Sequence, residues 1–417
     1  MKFLSKQQLL SWLPQLQRQV WILAAGRLLS QVGSGFTLFY APIFFVNQVG
    51  LSATAVGLGL GSASISGVFG RLLSGSMADS SFWGRRRTLL ISAIISAIAD
   101  IVLAAASNFP IFVIGNLLMG LGIGLYWPAT EAVVADLTQA EQRNEAYALT
   151  RLGDSLGLGL GVVLGGALIG TTGAYRALFV IDGISFLVFF AVIYVAIAET
   201  YKPGQQQQRI LGDWASALSD RTLLIFALVN ILFTTYLAQI NSTLPLYFNK
   251  FVSVGASGKG FSPVTISVLF TWYLALSVVC QLPVARALNR FSRPQALTFS
   301  AVLWAIGFVL IWSTELISVS PLVWATLGLS VLAIATVAYT PSASSLVVDL
   351  APESLRGVYF SVNSLCWAAG YFVGPSVGGW AMDQPPLLAH SFWLASALSV
   401  GVAIAILRSL NRRLQRT

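Results

Sequence analysis

The stretch YWPATEAVVADLTQAEQRNEAYALTRLGDSLGLGLGVVLGG, residues 126–166, decides the fold, because the chain repeats its pattern. A shift of 213 residues carries it without a gap onto YTPSASSLVVDLAPESLRGVYFSVNSLCWAAGYFVGPSVGG, residues 339–379. Tyr126, Pro128, Asp136, Leu137 and Arg143 meet Tyr339, Pro341, Asp349, Leu350 and Arg356. Gly157, Gly161, Gly165 and Gly166 meet Gly370, Gly374, Gly378 and Gly379. In each copy an apolar run ends in Asp-Leu, crosses a short polar turn holding one Arg, and enters a second apolar run. Self-similarity over such a distance marks a duplicated architecture.

Outward from this repeat the rest of the chain is equally apolar. Its 417 residues are 56% hydrophobic and 9% charged, with a mean hydropathy of +0.78. Soluble domains carry roughly 25% charged residues, so the composition points to an integral membrane protein. A spanning helix needs about 20 mostly apolar residues. Twelve such spans are read at 21–45, 53–77, 88–106, 110–135, 148–171, 176–198, 222–247, 265–288, 295–314, 321–349, 357–382 and 391–409. They lack the two-residue alternation of barrel strands. The fold class expected is therefore all-α, integral to the membrane.

The net charge of +9 does not indicate nucleic acid, because the bases sit in short loops. Among the 24 Lys and Arg, only Arg176, Lys250 and Lys259 fall in loops on one side, and Arg27, Arg71 and Arg151 fall within spans. All others lie on the side of the termini, which the positive-inside rule places in the cytoplasm. The N-terminus has no long apolar core and no small-residue cleavage site, so no signal peptide is read there. Cys280, Cys366 and His390 are too few for a Cys/His metal cluster.

The longest polar stretch, ETYKPGQQQQRILGDWASALSDR (199–221), divides the chain into an N-terminal six-helix bundle (1–198) and a C-terminal one (222–417). A weaker repeat sets GRLLSQVGSGF (26–36) of span 1 beside GNLLMGLGIGL (115–125) of span 4. Those spans cross in opposite senses. Two pseudo-symmetric bundles, each built from inverted three-helix repeats, is the organisation of one large class of secondary transporters.

At this point the chain resembles the major facilitator superfamily over nearly its whole length. The resemblance rests on twelve spans, the central loop and three local patterns. Loop 2–3 carries Gly75, Asp79, Gly84, Arg85 and Arg86, with a four-residue spacer from Ser80 to Trp83. Span 5 carries Gly157, Gly161, Gly165 and Gly166 of an antiporter pattern, with Val162 where that pattern has Pro; span 11 carries the full pattern with Pro375. Spans 4 and 10 end in Asp-Leu. Asn116 stands where many related drug antiporters carry Arg. The resemblance implies that Asp79, the Arg run and Asp136 latch the two halves when the inside gate closes; the alternative is that the Arg run serves topology alone. The glycine stripes Gly157, Gly161, Gly165 and Gly370, Gly374, Gly378 are expected to be close-packing faces, read either as a sliding seam between the bundles or as static packing.

Ionisable residues within spans are costly and are functional candidates by default. The acids among them fall in the first half. Arg27, Glu131, Arg151 and Asp154 are expected to form one buried, neutral cluster on spans 1, 4 and 5, read either as a proton-coupling device or as a structural ion-pair network. Asp100 and Asp182 are further buried-charge candidates, read first as packing or gate residues and second as taking a direct part in proton coupling. Candidates for a mid-membrane substrate cavity are Gln31, Tyr126 and Trp127 in the first half and Tyr236, Gln239, Asn241, Tyr339, Asn363 and Trp367 in the second. Aromatic faces and neutral amides suit a lipophilic or amphipathic solute, including a cation. No phosphate loop is present, and no nucleophile–base constellation suggests an enzyme. The reading is a monomeric, cofactor-free secondary transporter of the plasma or inner membrane, exporting small amphipathic compounds against protons. Uptake of a neutral metabolite such as a sugar is the second reading. A transporter-like sensor or a membrane-embedded enzyme is the third.

Overall fold

The computed structural model describes residues 16–78, 80–139, 143–200, 210–252, 260–288, 290–316, 320–352 and 356–415. Among them the regular structure is helical. The helices are α1 (Arg18–Leu38), α2 (Ala41–Asn47), α3 (Ala53–Ala78), α4 (Gly84–Ala105), α5 (Phe109–Asp136), α6 (Arg143–Thr172) and α7 (Tyr175–Ala196), then α8 (Ile210–Ser219), α9 (Arg221–Lys250), α10 (Pro263–Leu288), α11 (Arg293–Leu316), α12 (Pro321–Leu350), α13 (Arg356–Met382) and α14 (Pro386–Leu414).

Eleven segments among the described residues are long and apolar enough to cross a membrane, with α1 and α2 counted as one. The twelfth expected span is α13, 27 residues long. Asn363, its serines and its run of glycines dilute its apolar character. Local chemistry sets several ends. Asn108 and Asp220 accept bonds from the N–H groups of Ile111 (3.1 Å) and Thr222 (2.8 Å), capping α5 and α9. Pro42 has no N–H to offer the Leu38 carbonyl, so the first span stops at Leu38 and resumes as α2. Gly84 turns with φ +66° into α4, a conformation that Gly adopts without steric cost. Part of the polar connection between the halves is itself helical, as α8.

Helices α1–α7 pack mainly among themselves, and so do α9–α14. Glycine permits the closest crossings. A Cβ on Gly161 would overlap the Val32 carbonyl of α1, and one on Gly157 the Leu28 carbonyl. A Cβ on Gly370 would overlap Thr234 of α9, and Gly374 lies against Thr235 and Ala238. Gly165 meets Phe36 and Tyr40, and Gly378 meets Thr243. Both stripes thus face the first helix of their own bundle. This corrects the reading of them as a seam between bundles: the face that carries them is turned inward within each half.

The seam between halves runs elsewhere. α3 packs along α13, where Cβ atoms on Gly57 and Gly379 would strike Pro375 and Ala53. The far end of α6 meets α10 through Gly166 and Gly170 against Ser267 and Val264. Ser267 donates to the Val162 carbonyl (3.0 Å), Asn47 to Asn249 (2.6 Å), and Phe39 stacks on Phe270 at 4.3 Å. These contacts lie at the end opposite the start of α1 and the finish of α14, here the distal end. There one apolar core runs through both halves. Toward the terminal end the core divides: Val20, Leu89 and Val133 belong to a separate cluster of the first half, while Leu223, Leu346 and Leu410 of the second stay with the main core. The molecule is closed distally, and its cores part toward the termini.

Candidate transport site

In the first half the expected charge cluster forms in part. Arg27 is 1% exposed and makes a two-pronged ion pair with Asp154 of α6, its Nε donating at 2.9 Å. Its guanidinium also lies 5.2 Å from the Trp127 ring and 5.8 Å from the Tyr126 ring, both on α5. Ring faces and a carboxylate together replace the water that the cation has lost. Glu131 is half-buried one turn from Trp127, and its charge reaches Arg27. Arg151 does not join: it is exposed. Gln31 packs its Cβ toward Gly157 at the α1–α6 crossing.

In the second half a neutral network takes the corresponding place. The Asn230 amide donates to Asn363 Oδ1 (2.8 Å), and the Tyr339 hydroxyl donates to Asn230 Oδ1. Asn241 donates to the Tyr371 hydroxyl (3.2 Å), and Tyr371 stacks on Trp367 at 5.8 Å. Trp367 lies 6.4 Å from Tyr339. Asn363, Trp367, Tyr371 and Asn241 are half-buried. Tyr236 stands apart: it is buried against Trp304 and Phe308, with its hydroxyl on Ser399, so it belongs to the α9–α11–α14 core and not to this network. Gln239 is also buried, with its Oε1 unpartnered.

The two networks occupy equivalent positions. The glycine crossings set Gln31, Val32 and Gly35 of α1 in the roles of Thr234, Thr235 and Ala238 of α9, a shift of 203 residues that carries Arg27 onto Asn230. The longer shift carries Tyr126 onto Tyr339 and Asp154 onto Trp367. One scaffold therefore presents Arg, Tyr and Asp in the first half and Asn, Tyr and Trp in the second. Asn230 was not singled out from sequence, because an amide in an apolar run carries no signal until its partner positions are known.

At the terminal end Arg85 pairs with Asp136, joining α4 to α5. The Glu199 carboxylate accepts from the N–H groups of Arg85 (3.0 Å) and Arg86 (3.2 Å), capping α4 where Gly84 leaves it room. The Arg86 guanidinium bonds the Tyr194 carbonyl and covers that residue's ring. All of these contacts stay within the first half, so in this closed-distal state they tie the loop down and do not bridge the halves. Gly75 faces open space. Asp79 lies outside the described residues.

Two ties between the halves were missed from sequence. Arg71 of α3 donates to the carbonyl and hydroxyl of Ser364 on α13. At the distal end Asp383 caps α3 from the other half, accepting from the N–H groups of Ala53 (2.8 Å) and Thr54 (2.7 Å) and from the Thr54 hydroxyl (2.6 Å). Burial raises the Asp383 carboxyl, but these bonds and the nearby Lys250 charge outweigh it, and the group sits below its ordinary value.

Two halves closed at one end, with polar networks at equivalent positions, have counterparts among known proteins. The profile of the Major Facilitator Superfamily matches residues 23–257 and 256–416. The chain belongs to the major facilitator superfamily. It is a multi-pass membrane transporter and not an enzyme. Among curated members it is 25% identical over 392 residues to multidrug resistance protein MdtH of Aeromonas hydrophila, covering 93% of this chain and 94% of that one. It is 24% identical over 369 residues to the uncharacterized MFS-type transporter YqjV of Bacillus subtilis, covering 87% and 86%. A Na(+), Li(+), K(+)/H(+) antiporter of Planococcus maritimus is 23% identical over 365 residues, covering 81% and 83%. Among solved structures the nucleoside transporter NupG superposes with a TM-score of 0.79 at 16% identity, covering 94% of this chain and 99% of that one. The peptide transporter POT in complex with sulfate gives 0.76 at 15%, covering 99% of each. At these identities the superpositions speak for the fold alone.

Proposed function

We propose that this member exports small amphipathic compounds, cations included, by alternating access driven by the proton gradient, working as a monomer in the cytoplasmic membrane with both termini inside. The observation that carries the reading is the pair of polar networks at equivalent positions of the two halves: an Arg–Asp pair flanked by Tyr and Trp in the first, and half-buried Asn363, Trp367 and Tyr371 in the second. Flat aromatic faces and amides favour an amphipathic solute that needs no single charged partner. The multidrug-resistance name of relatives matched over nearly the whole chain supports the same direction. The charged half would serve ions, and the neutral half the solute.

The test is flux into inverted membrane vesicles with ethidium, tetraphenylphosphonium, glucose and uridine, each with and without an acid interior. Ethidium and tetraphenylphosphonium are expected to accumulate only with the acid interior. Movement of glucose or uridine alone, or ethidium accumulation indifferent to the gradient, would overturn the reading.

A further inference from the structure

Asp100 of α4 and Asp182 of α7 are buried, 0% and 1% exposed, and the transport site makes no use of them. Neither oxygen of Asp100 has a hydrogen-bond partner. Asp182 accepts from the Thr37 hydroxyl of α1 (3.1 Å) and from the Ser185 hydroxyl (3.4 Å). The two acids share one site between α1, α4 and α7: Gly183, next to Asp182, lies against the Asp100 Cβ, and Thr37 of α1 reaches the Asp182 carboxyl.

Among the described residues no cation balances them, and neither acid makes an ion pair. On the packed elements the other ionisable groups are engaged. Arg27 of α1 holds Asp154, and Tyr40 donates to the Val162 carbonyl. Arg176 of α7 holds the carbonyls of Ala104 and Ala106, beside Tyr175, and Arg71 of α3 reaches Ser364. α5 offers Asn116, whose amide is bound to the Phe112 carbonyl. Two carboxylates at close quarters in an apolar interior without a counter-charge cannot both be ionised.

Packing does not demand acids here. The shift of 203 residues carries Gly33 onto Tyr236. Gly33 leaves the space that the Asp182 and Ser185 side chains fill, while the same layer of the second half is packed by Tyr236, Trp304 and Phe308. The site also touches the part of the molecule that closes. Thr37, which donates to Asp182, lies just before the break between α1 and α2. Tyr40 beyond it binds the Val162 carbonyl, where Ser267 of the second half also binds.

We propose that Asp100 and Asp182 together form the proton-binding site of the transport cycle, both protonated in the distal-closed state and exchanging one of the two protons with water once per cycle. The proton leaves as a hydrated ion, and one carboxylate remains, held by Thr37 and Ser185. The proposal rests on the proton-driven reading above and adds the residues that carry it.

Infrared spectroscopy of the purified protein reads the proton directly, through the C=O stretch of a protonated carboxyl. The wild type is expected to show that band at neutral pH. Asp100→Asn and Asp182→Asn, neutral and isosteric, are expected to weaken or shift it, whereas Glu131→Gln and Asp154→Asn leave it. Thr37→Val, which removes only the hydroxyl that favours the ionised form, is expected to move loss of the band to higher pH. It gives a second readout if an Asn variant does not fold. In proteoliposomes both Asn variants are expected to keep ethidium counterflow and lose at least tenfold of the accumulation driven by an acid interior. A band unchanged in both Asn variants, or full gradient-driven accumulation in both, overturns the proposal. Loss of the wild-type band on adding NaCl at fixed pH would assign the site to an alkali cation and overturn it equally. If the wild type shows the band but no gradient drives ethidium, the export reading fails while the band still locates the proton.

Discussion

Arg27 shows what a single charge asks of an apolar interior. It is held by Asp154 of α6 on one side and by two aromatic faces of α5 on the other. Removing one member of a buried ion pair leaves the other uncompensated, at a cost of about 3–5 kcal/mol. Asp154→Asn is therefore expected to lower the thermal midpoint of the purified protein markedly, read by size-exclusion recovery after heating. The double change Arg27→Met with Asp154→Leu is expected to restore most of it, because replacing both charges removes the desolvation burden along with the pair. Midpoints unchanged in the single variant would mean that Arg27 finds another partner. Much of this site was legible: charge scarcity pointed to Arg27 and Asp154, and depth counting brought them together. Arg151 was not placed correctly, because depth fixes the level of a residue but not its azimuth, and the roughly 60° between side chains three residues apart is enough to bury Asp154 in part and leave Arg151 exposed. The neutral half of the site was the less legible one, since Asn230 differs from a packing residue only through the bonds it makes.

At the scale of elements, glycine does two separate jobs that look alike in sequence. Gly161 lets α6 cross α1 inside one bundle, whereas Gly57 lets α3 approach Pro375 across the seam between halves. Forcing a methyl group into a packed contact costs roughly 1–3 kcal/mol where the neighbour yields, and at both positions the neighbour is backbone. Gly161→Ala is expected to weaken the first bundle, seen as a lower thermal midpoint and lower recovery from the membrane. Gly57→Ala is expected to leave that midpoint nearly unchanged and to open the distal end, seen as faster labelling of a cysteine placed at Thr54. If both variants behave alike, the distinction between bundle crossing and seam is wrong. Periodicity revealed the stripes and duplication showed their equivalence. Neither could say which neighbour a stripe meets, because that depends on how α1, α6 and α10 are arranged around one another. The break between α1 and α2 follows from Pro42, but an apolar run that continues past it reads as one uninterrupted span.

For the whole molecule, the property least visible in sequence is which end is shut. Loop charge distinguishes the two sides of the membrane, and duplication predicts two bundles, yet both statements hold in every state of an alternating cycle. The closed end is a matter of contacts between halves, and among these the Asp383 cap on α3 can be addressed by pH. Its carboxyl lies below the ordinary value of 3.8, so the cap favours closure fully above that value and is lost as pH falls through the lowered one. Distal closure, followed by the distance between spin labels on α3 and α13, is thus expected to be insensitive to pH around neutrality and to weaken only in strong acid. Asp383→Asn keeps one acceptor oxygen but loses the charge that faces the helix N-terminus, a contribution of roughly 0.3–1 kcal/mol where partly exposed. Asp383→Ala loses the bonds as well. The expected order of distal opening at neutral pH is wild type, then Asn, then Ala. The two variants should also lose whatever acid-induced opening the wild type shows. Equal distances in all three proteins would mean that the packing of Gly57, Gly379 and Ser267 holds the end shut unaided, and that Asp383 merely satisfies two helix N–H groups that water would otherwise serve.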